Sequence, residues 1–88
     1  MTSFLGMDTG QVRQLASQLN AKADDIDSIM NTLTTALGNT QWVGNDATSF
    51  RNDWQGTHRM QLQQVATALR DAAQLATNNA NQQDTASA

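Results

Sequence analysis

His58 is the only histidine in a chain that has no cysteine and no glutamate, with Asp53 the nearest acid upstream and Arg59 beside it. A protein metal site gathers three or four His, Cys or carboxylate ligands, and here they would have to come from distant positions. His58 therefore reads as a surface or interface residue. Its place between Trp54 and Leu62 could set it against a partner and make pairing sensitive to acid. Asp24, Asp25 and Asp27 suggest calcium by composition. A helical backbone cannot wrap that ion, however, and no glycine-bearing loop follows, so the cluster reads as a solvated face. Ser17, Ser28 and Ser49 fall in helical patterns without a base and an orienting acid to activate them. Met7, Met30 and Met60 read as core filler or interface, not as cofactor ligands. No catalytic, metal-binding or cofactor-binding residue emerges, and neither an enzyme nor a cofactor is expected.

The residues that ask for an explanation are aromatic. In "NTQWVGNDATSF", residues 39–50, Trp42 stands two positions before Gly44 in an amide-rich, helix-poor run, and Phe50 and Trp54 follow at helical spacing. Trp42 has two readings. It can staple the connection onto the ends of its flanking helices, since an indole buries on the order of 150–250 Å². It can also stay partly exposed as an anchor that another protein reads. Gly44 permits a left-handed or tightly turned backbone where the second helix begins.

The elements that must hold this run are two helices. Val12, Leu19, Ile26 and Leu33 recur every seven residues, with Leu5 one interval earlier. Ala16, Ala23, Met30 and Leu37 form a second series four places on. Leu15, Lys22, Ile29 and Ala36 form a third, apolar except at Lys22. Such a stripe is broader than a two-position seam and suits a helix that touches more than one neighbour. The first helix is predicted over about 8–38, with Asp8 and Gln11 as a capping pair and Gly38-Asn39 as its stop. A W-x-G bend follows over about 39–45. The second helix, about 46–78, starts under an Asn45 or Asp46 cap and carries Ala47, Phe50, Trp54, Leu62, Val65, Leu69, Ala72 and Ala76 at spacings of three and four. Thr57, His58 and Gln61 interrupt that stripe. An N-terminal arm, 1–7, and a polar tail, 79–88, expected to be frayed in isolation, complete the chain.

Two long helices with a short joint imply an all-α antiparallel hairpin. Each large aliphatic left in water forfeits roughly 1.5–3 kcal/mol, so the hairpin is expected to dimerise into a four-helix bundle. At 88 residues, without disulfides, a single hairpin is a marginal fold. A net charge of -3, with eleven Gln, eight Asn and eleven Thr for solubility, argues against nucleic-acid binding. No apolar run approaches a membrane span, and basic residues for a surface-lying amphipathic helix are lacking, so no stable membrane insertion is expected. The start, "MTSFLGMDTG", has no basic segment and too short an apolar stretch for a secretory leader.

"WVG" between two long amphipathic helices in a small acidic chain resembles the WXG family, the early-secreted-antigen-like proteins of bacterial type VII secretion. An aromatic several residues after the glycine, here Phe50, is common in that family. The resemblance covers nearly the whole chain. It implies a hairpin bent at Trp42 and Gly44, paired as an antiparallel four-helix homodimer or heterodimer with a related hairpin or with the helical domain of a larger effector. It also implies export by a membrane secretion ATPase, from the cytoplasm and without a cleavable leader, with the bend of one hairpin joining the partner's C-terminal segment as a recognition surface. The family's export signal is a tyrosine followed four residues later by an acid. This chain has no tyrosine, and Asp84 is the single acid of its tail. The signal then lies on a partner, exists in degenerate form, or is absent. The first case favours a heterodimer in which this chain supplies the W-x-G half; a self-satisfying homodimer is the other reading. A cytosolic adaptor for a secreted effector, itself not exported, is the alternative function. The expected interface or core residues are Val12, Leu15, Leu19, Ile26, Ile29, Met30, Leu33, Leu37, Phe50, Trp54, Leu62, Val65 and Leu69.

Overall fold

The computed structural model describes residues 6–87. Helix α1 spans Thr9–Asn39, and after a short bend a second helical run extends from Asn45 to Ser87. That run has three parts: α2 over Asn45–Asp53, a π-turn over Trp54–His58, and α3 over Arg59–Ser87. Arg70 reaches Asp24 and Asp27, Trp54 reaches Thr34, and Arg13 reaches Asp84. Later residues of one helix thus meet earlier residues of the other. The fold is an antiparallel all-α hairpin, 67 × 17 × 14 Å. Of the expected N-terminal arm, residues 1–5 lie outside the described residues.

The ends of α1 have identifiable causes. The Asp8 carboxylate accepts the Gln11 backbone N–H at 3.0 Å, closing the first turn as the sequence suggests. The stop is different from the expected one. Gly38 remains helical, and Thr40 ends the helix: its N–H donates to Leu37 O, and its hydroxyl donates to Ala36 O at 2.7 Å. A threonine hydroxyl supplies the partner that an exposed terminal carbonyl needs. The start of α2 also differs, because its N-cap is Gly44 with no side-chain cap; Asp46 sits in the first turn, favourably placed against the positive end of the helix.

Gly44 has φ 124 and ψ 179, a region open in practice only to glycine. A Cβ built there would meet no atom within 4 Å. The penalty for Gly44→Ala is therefore backbone strain alone, about 1–3 kcal/mol. Chemical denaturation should show that loss with an unchanged m-value.

The tail expectation needs correction. Residues 79–87 are helical and continue α3 instead of forming a polar extension. Ala80 is fully buried, and Arg13 on α1 donates to Asn81 and Asp84. The polar composition of the tail hid these two attachments to α1.

Between the helices runs a narrow seam. Ala16, Ala23 and Met30 are buried on α1, and Trp54, Ala66, Ala73 and Ala80 are buried on the second helical run that packs along it; Ala47, at the start of α2 beside the bend, is buried as well. Spacing of seven places the α1 set in line, and in the second run it holds from Ala47 to Trp54 and from Ala66 to Ala80. Six of these eight side chains are alanine, so the helices can approach closely, but the seam holds little apolar volume.

Candidate interaction surface

The seam residues supply a reference line for everything else. On either helix, positions one and four before a seam residue fall to one side, at about 100° per residue. Positions three before and one after fall to the other. Because the helices are antiparallel and of the same hand, corresponding sides of the two helices lie on the same flank of the hairpin.

One flank is polar. Arg70, three before Ala73, donates to Asp27 at 2.6 Å and to Asp24 at 2.8 Å. These hydrogen bonds, Asp24 first, raise the Arg70 pKa. Arg13, three before Ala16, donates to Asn81 at 2.8 Å and to Asp84 at 2.6 Å. The Arg13 guanidinium, then the Thr9 hydroxyl, holds the Asp84 carboxyl below its ordinary value. Depression of an acid's folded pKa stabilises the fold above the ordinary carboxylate range, and that contribution disappears as pH falls through the depressed value. The final turns of α3 should therefore lose hydrogen-exchange protection in acid before the middle of the hairpin does. High salt should reduce the difference, since the pair is exposed.

The other flank is apolar. Leu15, Ile29, Leu33 and Val65 each keep about half of their surface exposed. Val12, Leu19, Ile26, Leu37, Leu62 and Leu69 are half-buried beside the seam. Leu15, Leu19 and Lys22 share a groove with Leu69 across the helix boundary, which places the two apolar edges side by side. Of the three series on the first helix, the second forms the internal seam as far as Met30, the first makes its half-buried rim as far as Ile26 and is exposed at Leu33, and the third is exposed throughout.

At the bend the tryptophans have separate positions. Trp54 is the internal one: 9% exposed, its indole N–H donates to the Thr34 hydroxyl at 2.9 Å. Trp42 remains 39% exposed and rests on Phe50, itself 49% exposed, with ring centroids 5.4 Å apart and planes tilted by 52°. Val43 beside it is 91% exposed. Arg51, not an indole, ties down the bend by donating to the carbonyl oxygens of Trp42 and Thr40. Trp42, Val43 and Phe50 make an apolar tip on a braced loop.

Comparison with protein-family models, curated proteins and solved structures finds no match to this chain.

Met30 and Trp54 are buried, as core residues should be; Trp42, Gly44, Leu15, Ile29, Leu33, Phe50 and Val65 are exposed. The reading of the second helix needs correction. Its seam against α1 is Trp54, Ala66, Ala73 and Ala80, with Ala47 buried beside the bend, while Ala72 is exposed and Ala76 is half-buried. Alanines carry too weak an apolar signal to mark a seam beside leucines. Val43 and Leu75, the latter 61% exposed, are further apolar surface that the spacing did not single out. His58 and Met60 are exposed, and Met7 is half-buried. Among the described residues, no three His, Cys, Asp or Glu side chains form a group that could hold a metal ion, and no helix is long and apolar enough to cross a membrane.

Proposed function

We propose that this chain is a small type VII secretion substrate or co-secreted partner that acts by helix-on-helix protein binding. Its apolar flank packs against a second helical hairpin, either another copy or a related chain, or against the helical domain of a larger effector. The product is a four-helix bundle. The observation that carries this reading is the inversion of side-chain size: alanines fill the internal seam, while leucine, isoleucine and valine line the outside of one flank.

The exposed area supports it. The chain exposes 6425 Å², whereas a folded monomer of its 9.5 kDa mass exposes about 5000 Å². The surplus exceeds the ~800 Å² that each partner contributes to a standard interface. The secretion part of the reading rests on the resemblance of "WVG" at a helical bend to the WXG family. Loss of the chain from culture fluid, with its cellular level retained, is expected when the secretion ATPase of the producing bacterium is deleted. Unchanged extracellular amounts would count against export by that route.

One observation favours a second reading, a cytosolic adaptor for an exported effector. The 88 residues contain no tyrosine, so the export signal of the resembled family cannot be drawn from them. An adaptor would co-purify with its effector from cells and stay behind when the effector leaves.

A further inference from the structure

The second helical run is one residue too long for its own seam. Buried residues are seven positions apart within α2 and the π-turn, Ala47 to Trp54, and again within α3, Ala66 to Ala73 to Ala80. Between Trp54 and Ala66 the interval is twelve. In uninterrupted α-helix twelve steps turn about 1200°, leaving Ala66 roughly 120° out of line with Trp54. Eleven steps turn about 1100°, only some 20° from three whole turns.

The Arg59 N–H donates to Trp54 O, five residues back. Such a π-turn holds one surplus residue without advancing the helix phase. Twelve steps then act as eleven, and both Trp54 and Ala66 face α1. Phe50, four before Trp54, consequently falls on the same side as Leu62 and Leu69, which stand four before Ala66 and Ala73. We infer that the π-turn is a phase compensator: it absorbs one residue between Trp54 and Ala66, and so keeps the Trp42–Phe50 tip in line with the apolar flank. This inference stands on the burial pattern and goes beyond any pairing or secretion.

A compensator makes an unusual demand, because removing a residue at the π-turn should do little harm. Deletion of exposed Gln55 should convert the turn to ordinary α-helix and leave Trp54 and Ala66 in the seam. The melting temperature should change by no more than about 5 °C, and the Trp54 indole N–H should keep its protection from exchange. Deletion of exposed Asn20 is the control. It lies between Ala16 and Ala23 in α1, which has no π-turn to absorb the shift, and should lower the melting temperature by more than about 15 °C or abolish folding. Insertion of one alanine after Gln55 should also be damaging. The inference is overturned if deletion of Gln55 is as harmful as deletion of Asn20, or if all three changes are tolerated.

Discussion

Trp54→Ala should remove about 3–5 kcal/mol of folding stability, the usual loss when a buried tryptophan is truncated to alanine. Its indole is the largest side chain in a seam otherwise made almost entirely of alanine, and its N–H donates to Thr34. Truncation leaves a cavity between two helices whose small side chains cannot fill it, and strips the Thr34 hydroxyl of a partner. For a domain of this size each kcal/mol corresponds to about 4–8 °C, so the melting temperature should fall by roughly 12–40 °C. Trp42→Ala should lower it by only a few degrees. Trp42 is partly exposed and its ring contact with Phe50 is worth about 0.5–1.5 kcal/mol. Melts at several protein concentrations separate folding from association. Equal losses from the two substitutions would mean that the bend tryptophan, not Trp54, secures the hairpin.

Leu33→Asp should weaken pairing at least ~100-fold while leaving the hairpin helical. Leu33 is half exposed in the single hairpin, so its carboxylate can remain hydrated there. In an assembled bundle the same charge would be buried without a partner, which is strongly unfavourable; a hundredfold change in dissociation constant corresponds to about 2.7 kcal/mol. Leu75→Asp is the matched control. Leu75 is more exposed than Leu33, yet it stands two positions after Ala73, about 200° around α3 from the seam. Its substitution should leave the dissociation constant within about twofold. Circular dichroism and sedimentation velocity on the two variants would distinguish a lost interface from a lost fold. A Leu33→Asp variant that remained paired would place the interface elsewhere.

Much of the architecture could be read from periodicity. The seven-residue series on α1 locates both the seam and the exposed flank, because that helix is regular from Asp8 to Thr40. Asp8 was legible as a cap because its side chain acts on Gln11, three residues away. The second helix was less transparent for two physical reasons. Its seam consists mainly of alanine, which hydropathy does not distinguish from surface alanine, and its phase slips at the π-turn. Thr57, His58 and Gln61, which interrupt the apolar spacing, lie in or just after that turn. The helical state of residues 79–87 was hidden for another reason. It accompanies burial of Ala80 and long-range bonds from Arg13, and no local property of a polar sequence reports either one.

The tip illustrates a different limit. Sequence spacing offered two roles for Trp42, and the structure divides the features of those roles between two tryptophans. Trp54 fills the seam from within, whereas Trp42 and Phe50 present a half-exposed aromatic pair on a bend braced by Arg51. A turn tryptophan is therefore compatible with a weak contribution to stability. Its surface remains free for contact, on the side of the hairpin where the aliphatic residues are exposed.

Sedimentation equilibrium of the purified chain, run alone and with candidate partner hairpins across low to high micromolar concentrations, decides whether the apolar flank is covered by a second hairpin. The expected result is a species of at least twice the 9.5 kDa chain mass, formed with itself or with a partner, and dissociated by Leu33→Asp. A stable monomer at every concentration, indifferent to every partner, would contradict it.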